Sequence, residues 1–481
     1  MFIYREVEIR KADETAAQNG LSGNALMETA GRSLFVRIKE ILNKNSRILI
    51  LSGRGNNGGD GIVLARYLNQ WGYNVDLVFP FGEPKSDSAS EHFRYYKSLG
   101  YSWSTSIGDG PYDVIIDALL GVGTRLPLNQ SYQDLLKWCN QQHALKIAID
   151  LPTGVLADRG EADIAFHADY TFSLHGFKPS TFLLPSNTFF GQPESIDIGL
   201  PHDAKWKIWS GKDVKRTMKK RGSNSHKGTF GTGLLVAGTD EMPGSAMLAG
   251  LGAMKIGIGK LVIATTPYAA SIIATRLPEA TYLHDGLNKL AVGTFPDGIR
   301  AMAIGPGLTD EKLIDQVLEN VWEKEIPLVI DAGALGKREF APRKAPIIIT
   351  PHPGEFSRLT GLSVKEIEAN RLEISSQFAI QKNVIVVLKG ANTVIAFPNG
   401  TGFINRTGNA ALAKGGSGDT LTGMILGLIC SESDITSAIA NAVYLHGLCA
   451  DELVKEQNER SIVAGNITNV LGRVMNRLIT D

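Results

Sequence analysis

GRGNNGGDG, residues Gly53–Gly61, follows directly on the apolar run RILILS, Arg47–Ser52, and precedes a helical pattern at Ile62–Trp71. Gly53, Gly55 and Gly58 satisfy the spacing G-x-G-x-x-G, in which glycines permit a tight turn and a close backbone approach to an anion at a helix N-terminus. That spacing alone is a weak sign of a dinucleotide site. The acidic residue such a site wants near the end of the next strand is met only by Asp76, which lies early in its strand. No GK[ST] follows, which excludes a P-loop. More distinctive is the core Asn56-Asn57-Gly58-Gly59-Asp60, which brings two amides and a carboxylate around glycines. An Asx-turn with Asp60 as helix N-cap is one reading, and for Asp60 by itself the preferred one. For the whole run a ligand site is preferred, because a plain turn does not need so many glycines.

Outward from this loop, apolar strand candidates at Arg47–Leu51, Val75–Phe79, Val114–Asp117, Lys146–Asp150 and Tyr170–Leu174 are interleaved with helical patterns, among them Glu91–Leu99. Continuous apolar strands separated by helices predict a parallel sheet covered on both faces. Two of these strands end in acids: Asp117 opens DALLGVGTRLP, with a turn at Gly121 and Gly123, and Asp150 opens DLPTG. Ligands of doubly wound sheets bind outside the carboxyl ends of the strands, so Asp117, Asp150 and the Asn57 loop are expected to face one crevice. Oxygens from Asn57, Asp117 and Thr153 would suit a hard cation. Each single aspartate reads equally well as a turn former.

The 481-residue chain has length for two or three domains. Its 49 basic and 49 acidic side chains cancel, so no overall field favours nucleic acid or an anionic membrane. The three cysteines, Cys139, Cys430 and Cys449, are distant from one another in apolar surroundings, which predicts buried thiols in a reducing compartment. The N-terminal stretch carries charges from its fifth residue and does not read as a signal peptide, and no apolar run reaches membrane-spanning length. A cytoplasmic protein is expected.

Between Lys205 and Lys227 the apolar pattern breaks, which places a domain boundary near Trp209–Lys212 and predicts domains at 1–210 and 211–481. A second alternating series follows, with strands at Gly233–Ala237, Lys260–Ala264, Ala301–Ile304, Leu328–Asp331, Ile347–Thr350, Val384–Leu388 and Thr393–Ala396. Helices are expected at Thr420–Leu428, Ile435–Glu456 and Ile467–Ile479. Both halves are therefore read as α/β, three-layer αβα domains. In the second, RTGNAALAKGGSGDTLTG (Arg406–Gly423) sets a glycine turn, Gly415–Gly418, before Asp419 at a helix start. Backbone N–H groups there form an anion hole, and an aspartate beside it can accept a proton from a hydroxyl during phosphoryl transfer. The plainer alternative is that Asp419 caps the helix. GPGL (Gly305–Leu308), DAGAL (Asp331–Leu335), TPHPGE (Thr350–Glu355) and KGANT (Lys389–Thr393) each follow a strand, which gathers His352 and Lys389 on the same sheet edge.

METAG (Met27–Gly31), GRGNNGGDG, IIDALLGVGTRLP, IDLPTGV, ADYTFSLHGFKP and DIGLP, in this order, resemble the NAD(P)H-hydrate epimerases over almost all of Met1–Pro201. The resemblance implies a Rossmann-like fold and hydrate binding by Asn56, Asn57, Gly58, Gly59 and Asp60. It adds substrate contacts at Gly121, Val122, Gly123, Thr124, Arg125, Leu126, Pro127, Tyr132 and Asp150. It places a potassium ion at Asn57, Asp117 and Thr153; the family usually has serine at the last position, and threonine keeps the hydroxyl. By position Asp150 is the candidate acid/base group.

From Val214 onward, SHKGTFGTGLLVAG, GSAMLAGLGAMKIGIGKL, HPGE, KGANT and NAALAKGGSGDTLTG resemble the ribokinase-like ADP/ATP-dependent NAD(P)H-hydrate dehydratases. This implies nucleotide contacts at Lys389, Gly390, Ala391, Asn392, Thr393 and Gly418, and substrate contacts at Ala253, Gly307, His352 and the catalytic Asp419. Magnesium would accompany the nucleotide. Two departures stand out: Gly333, where the family often has a second acid, and Asn392, where a small residue is common. Taken together the resemblances imply a bifunctional repair enzyme for hydrated NADH and NADPH. It would epimerise the R and S hydrates and dehydrate the S form using ADP, with ATP as an alternative, and would be a homo-oligomer. Two other classes stay open: a kinase whose product keeps its phosphate, and a noncatalytic nucleotide-binding module in the first half.

Overall fold

The computed structural model describes the 481 residues except Lys219, Ala341 and Asp481. The chain forms two compact units, Met1–Trp206 with Glu368–Asn370, and Lys207–Ile367 with Arg371–Asp481. The first therefore ends at Trp206 and not at 210. The reason is local: Trp209 is buried in the second unit's core, where its indole N–H donates to Asn441 Oδ1 (2.9 Å).

The first unit holds β1 (Arg47–Ser52), β2 (Asn74–Val78), β3 (Trp103–Ser104), β4 (Val114–Ala118), β5 (Leu145–Ile149), β6 (Tyr170–Leu174) and β7 (Gln192–Ile196). They run parallel in the order β3-β2-β1-β4-β5-β6-β7. The first six follow the doubly wound Rossmann order. Side-chain alternation explains the two covered faces: Ile48, Ile50, Ile116 and Ile147 join one core, while Leu49, Leu51, Ile115 and Ala148 join another. Two strands escaped the sequence reading. β3 has only two residues, and β7, QPESI, is too polar to stand out.

The run Asn56–Asp60 is not a loop. It is the first part of α3, because α1 (Glu6–Gln18) and α2 (Gly23–Ile38) are followed by α3 (Asn56–Gln70), whose N-cap is Gly55. Asp60 lies beyond the capping position, so the N-cap reading of it is wrong. The glycine density has a packing cause. A Cβ on Gly53 would sit 1.8 Å from the Leu119 carbonyl oxygen, one on Gly58 1.9 Å from that of Gly53, and one on Gly59 2.4 Å from Met27 Sδ. Glycine costs about 1 kcal/mol per helical position relative to alanine. Here that cost allows a helix to begin in contact with its own strand and with α2. Gly31 of METAG has the same role, since a Cβ there would meet Val63 Cγ1 at 2.3 Å.

In the second unit β8 (Thr232–Val236), β9 (Lys260–Thr265), β10 (Thr281–His284), β11 (Ala301–Ile304), β12 (Leu328–Ile330), β13 (Ile347–Ile349), β14 (Ile385–Leu388), β15 (Thr393–Ala396) and β16 (Gly402–Asn405) lie in the order β16-β15-β14-β13-β12-β11-β8-β9-β10. From β14 to β10 neighbours are parallel, and β15 and β16 add an antiparallel edge. The helices Pro243–Ile256 and Ser417–Ser431 pack on one face. Their seam is built from small residues: a Cβ on Gly423 would meet the Ala249 carbonyl oxygen at 1.8 Å, and one on Gly252 that of Thr420 at 2.4 Å. Among the described residues, no helix is long and apolar enough to cross a membrane.

Candidate active sites on the two sheet edges

In the first unit the strand order reverses between β1 and β4, and Gly53 N–H donates to the Ala118 carbonyl just past their ends (2.9 Å). A cavity of about 470 Å³ opens there. It is lined by Gly55, Asn56, Asn57 and Asp60 of α3, by Gly121, Val122 and Gly123 after β4, and by Asp150 after β5. The crevice anticipated at the strand ends is thus present. Gly58 and Gly59 are outside the lining and pack against Gly53 and Met27. Thr124 turns its hydroxyl onto the Gly121 carbonyl (2.8 Å), and Arg125 pairs with Glu6 (3.1 Å). Leu126, Pro127 and Tyr132 are not in the lining, and Tyr132 stacks on Phe81 with ring centroids 3.8 Å apart.

Asp117 is fully buried beneath this cavity. Thr153 donates to it twice, from its N–H (2.7 Å) and its hydroxyl (2.8 Å), and Leu119 N–H donates a third bond (3.0 Å). Burial still pushes its carboxyl up to about 6, against those hydrogen bonds. Asn57 donates its amide N–H to the Leu120 carbonyl (3.1 Å), while its Oδ1 is buried without a hydrogen-bond partner. An orphaned amide oxygen beside a buried carboxylate and a hydroxyl is a donor set suited to a hard cation. Among the described residues no cluster of three His, Cys, Asp or Glu could hold a metal ion.

Sequence reasoning missed Lys178, although it stands inside the quoted HGFKP. Its ammonium is 1% exposed and donates to Asp150 Oδ1 and to the carbonyls of Leu174 (3.0 Å) and Gly176 (3.2 Å). Asp150 itself occupies the left-handed region at φ +66, which places its carboxylate over the strand end. Asp13, Arg10 and His175 also line the cavity without having been foreseen. A cluster assembled from distant loops leaves no spacing signal in the sequence.

In the second unit the C-terminal ends of β11 to β14 carry Gly305–Gly307, Asp331, His352 and Lys389 on one edge. Lys389 Nζ donates to buried Asp331 (2.9 Å) and lies 3.9 Å from Glu355, while Thr422 donates to the other Asp331 oxygen (2.6 Å). Burial alone would lower the lysine, but Asp331, Glu355 and Asp419 outweigh it and hold it above its ordinary value. Asp419 is the third residue of its helix and makes no capping bond with Gly416, so the plain capping role does not apply. Burial raises its carboxyl, opposed by a hydrogen bond from Ser245. Gly307 joins this group: a Cβ there would touch Ser245 Cβ at 2.9 Å. Gly418 lies against Lys389, 3.3 Å from a Cβ placed on it to Nζ.

His352 caps Pro353–Thr360, its Nδ1 accepting from Gly354 N–H (3.0 Å) and Glu355 N–H (3.3 Å). The neutral ring therefore carries its proton on Nε2. The Gly390–Thr393 turn is held from below by buried Arg371, which donates to the carbonyls of Leu388 (2.7 Å) and Lys389 (2.8 Å). Asn392 fits this turn because asparagine tolerates its left-handed φ of +57. At Gly333 a Cβ would meet the Leu308 carbonyl oxygen at 1.9 Å, so the backbone closes there and leaves no room for a side chain. Ala253 is the exception to the expected grouping. It is fully buried in the helix seam, where a Cβ on Gly427 would meet its carbonyl oxygen at 2.9 Å.

A doubly wound domain with its crevice at the switch point, followed by a parallel-sheet domain with a lysine–carboxylate cluster at a helix N-terminus, defines a two-site enzyme acting on nucleotides. Family models described as YjeF-related protein N-terminus and as NAD(P)H-hydrate dehydratase match residues 23–180 and 233–472. The chain is 31% identical over 519 residues to a bifunctional NAD(P)H-hydrate repair enzyme of Thermofilum pendens, covering 100% of this chain and 97% of that one. It is 30% identical to one of Escherichia coli, covering 98% and 94%. A crystal structure of the ADP/ATP-dependent NAD(P)H-hydrate dehydratase from Bacillus subtilis, co-crystallised with ATP and Mg2+, is 48% identical with a TM-score of 0.56, covering 56% of this chain and 98% of that one. The chain belongs to the family of bifunctional NAD(P)H-hydrate repair enzymes.

Proposed function

We propose that this protein interconverts the R and S hydrates of NADH and NADPH at the first site and dehydrates the S hydrate at the second, with ADP as phosphoryl donor. The observation that carries the reading is the pairing of two strand-end sites in one chain of the family: a carboxylate-lined crevice beside an orphaned amide oxygen, and an aspartate at a helix N-terminus within the electrostatic reach of the half-buried Lys389.

At the first site Asn57, Asp117 and Thr153 would hold potassium, which when bound supplies fixed positive charge beside the substrate's phosphates and ring. Hydrogen bonds from Thr153 and Leu119 orient Asp117 for this. Thr153 retains a free lone pair after donating to Asp117 and accepting from Leu120 N–H (3.1 Å). Replacement of Asp117 by Ala is expected to abolish epimerisation, measured by proton exchange between the two hydrate signals in NMR. Unchanged epimerisation would remove the cation site from the account.

At the second site Asp419 accepts the proton of the hydrate's ring hydroxyl as its oxygen attacks the terminal phosphoryl group, and ADP leaves as AMP. The C–O bond then breaks with phosphate as leaving group, the neighbouring carbon loses a proton, and the ring double bond is restored. Lys389 and the amides of the Gly418 turn stabilise charge on the phosphates. Magnesium accompanying the nucleotide would neutralise charge on the phosphates beside Lys389, Asp331 and Glu355. Purified protein with Mg2+ is expected to turn over S-hydrate faster with ADP than with ATP and to release free phosphate. A stable phosphorylated product would instead indicate a kinase.

A further inference from the structure

We propose that Asp60 is the proton donor, and Asp150 held by Lys178 the proton acceptor, in a ring-opening epimerisation of the hydrate. This rests on the first site being the epimerase. Hydration of a dihydronicotinamide places a hydroxyl on the carbon bonded to the ring nitrogen, a hemiaminal whose configuration inverts if the ring opens and closes. Opening requires a base on the hydroxyl and an acid on the nitrogen.

Three aspartates line the cavity, Asp13, Asp60 and Asp150, and the last two are differentiated in this sense. Asp150 Oδ1 is occupied by the Lys178 ammonium and by Leu174 N–H (3.2 Å). Its Oδ2 has no hydrogen bond among the described residues and points towards Gly121, 3.3 Å from a Cβ placed there; Asn57 Cγ lies 3.5 Å from the same point. Lys178 spends its three donors on Asp150 and two carbonyls, so it acts as a positioning residue. Asp60 also lines the cavity and is 7% exposed. It receives no hydrogen bond among the described residues. The charged groups around it are Asp150, Asp13 and, favourably, Lys178. Arg10 and His175 complete the titratable lining. Burial, then the negative Asp150 and Asp13, hold the Asp60 carboxyl well above the ordinary carboxylate range, which keeps it a donor.

The proton count closes. Asp150 Oδ2 takes the hydroxyl proton, the C–O bond becomes C=O, the C–N bond breaks, and the nitrogen takes the Asp60 proton. Rotation presents the other face of the aldehyde. The nitrogen then attacks it, returns its proton to Asp60, and the new oxygen anion recovers its proton from Asp150. Both groups are reset and no water is consumed.

The test uses the full chain and the separated hydrates, with the second domain's turnover of S-hydrate in the same sample as internal reference. Asp60→Asn and Lys178→Met are each expected to lower epimerisation kcat by roughly 10²–10⁴-fold with KM changed less than about threefold. In water enriched in oxygen-18, wild-type product of a single turnover is expected to keep its original oxygen. An Asp60→Asn kcat within about threefold of wild type, or a loss confined to KM, overturns the donor role, and incorporation of oxygen-18 overturns ring opening. Because the isotope measurement uses wild-type protein, a variant that misfolds does not shelter the proposal. A wild-type protein that does not epimerise at all refutes the functional reading itself, a result distinct from either of these.

Discussion

At both sites burial raises single carboxyls above their ordinary value, Asp60 at the first and Asp419 at the second. Asp419, raised by burial, is the better base for operating near neutrality. Its replacement by Asn is expected to reduce dehydration by roughly 10²–10⁴-fold while first-site epimerisation persists, a contrast read by supplying pure S- or pure R-hydrate. His446 shows the same physics acting on stability. Its buried ring donates through Nε2 to the Ser417 carbonyl (3.0 Å), and burial lowers it to about 4. A histidine lowered in the fold leaves the unfolded chain binding more protons between about pH 6.5 and 4, so stability falls as pH falls through that window, by about 3 kcal/mol from this group. His446→Gln is expected to flatten the acid decline in melting temperature of the second domain. An unaltered decline would mean that other groups carry it.

At the level of elements, the decisive geometry is the start of a helix pressed on its strand. Gly58→Ala is expected to cost more than about 2 kcal/mol in denaturant unfolding, because the new Cβ meets the Gly53 backbone and no side chain can give way. Gly55→Ala, with open space around its Cβ position, is expected to change stability by less than about 0.5 kcal/mol. Equal effects would refute the packing account of the glycines. The elements were legible where periodicity was strong: β1, β4, β6, β11 and β15 emerge from apolar runs almost residue for residue. α3 was read as starting six residues late, since Asn-Asn-Gly-Gly-Asp has poor helix propensity and only tertiary contact holds it helical. The glycines of this run suggest ligand binding from sequence, whereas most of them serve close packing. Asp117, Asp150 and Thr153 were legible because they stand at or just past strand ends, and Asn57 because it lies in the first turn of the helix that follows one. Lys178 and Arg371 were not, because each acts on a loop far away in sequence.

For the molecule as a whole, the two chemistries are complementary: one site consumes a single epimer, and the other supplies it. A chain with Asp117→Ala is therefore expected to give a biphasic progress curve on mixed hydrates, a fast phase equal to the S fraction and a slow one at the spontaneous epimerisation rate. A single fast phase would show that the first site is dispensable. The central claim is tested most directly by giving the intact wild-type protein an equilibrium mixture of R and S hydrates with Mg2+ and ADP and following reduced-nicotinamide absorbance. Recovery of the full absorbance in one phase, with one phosphate released per ring restored, is the predicted result; no recovery, or recovery that stops at the S fraction, would contradict it.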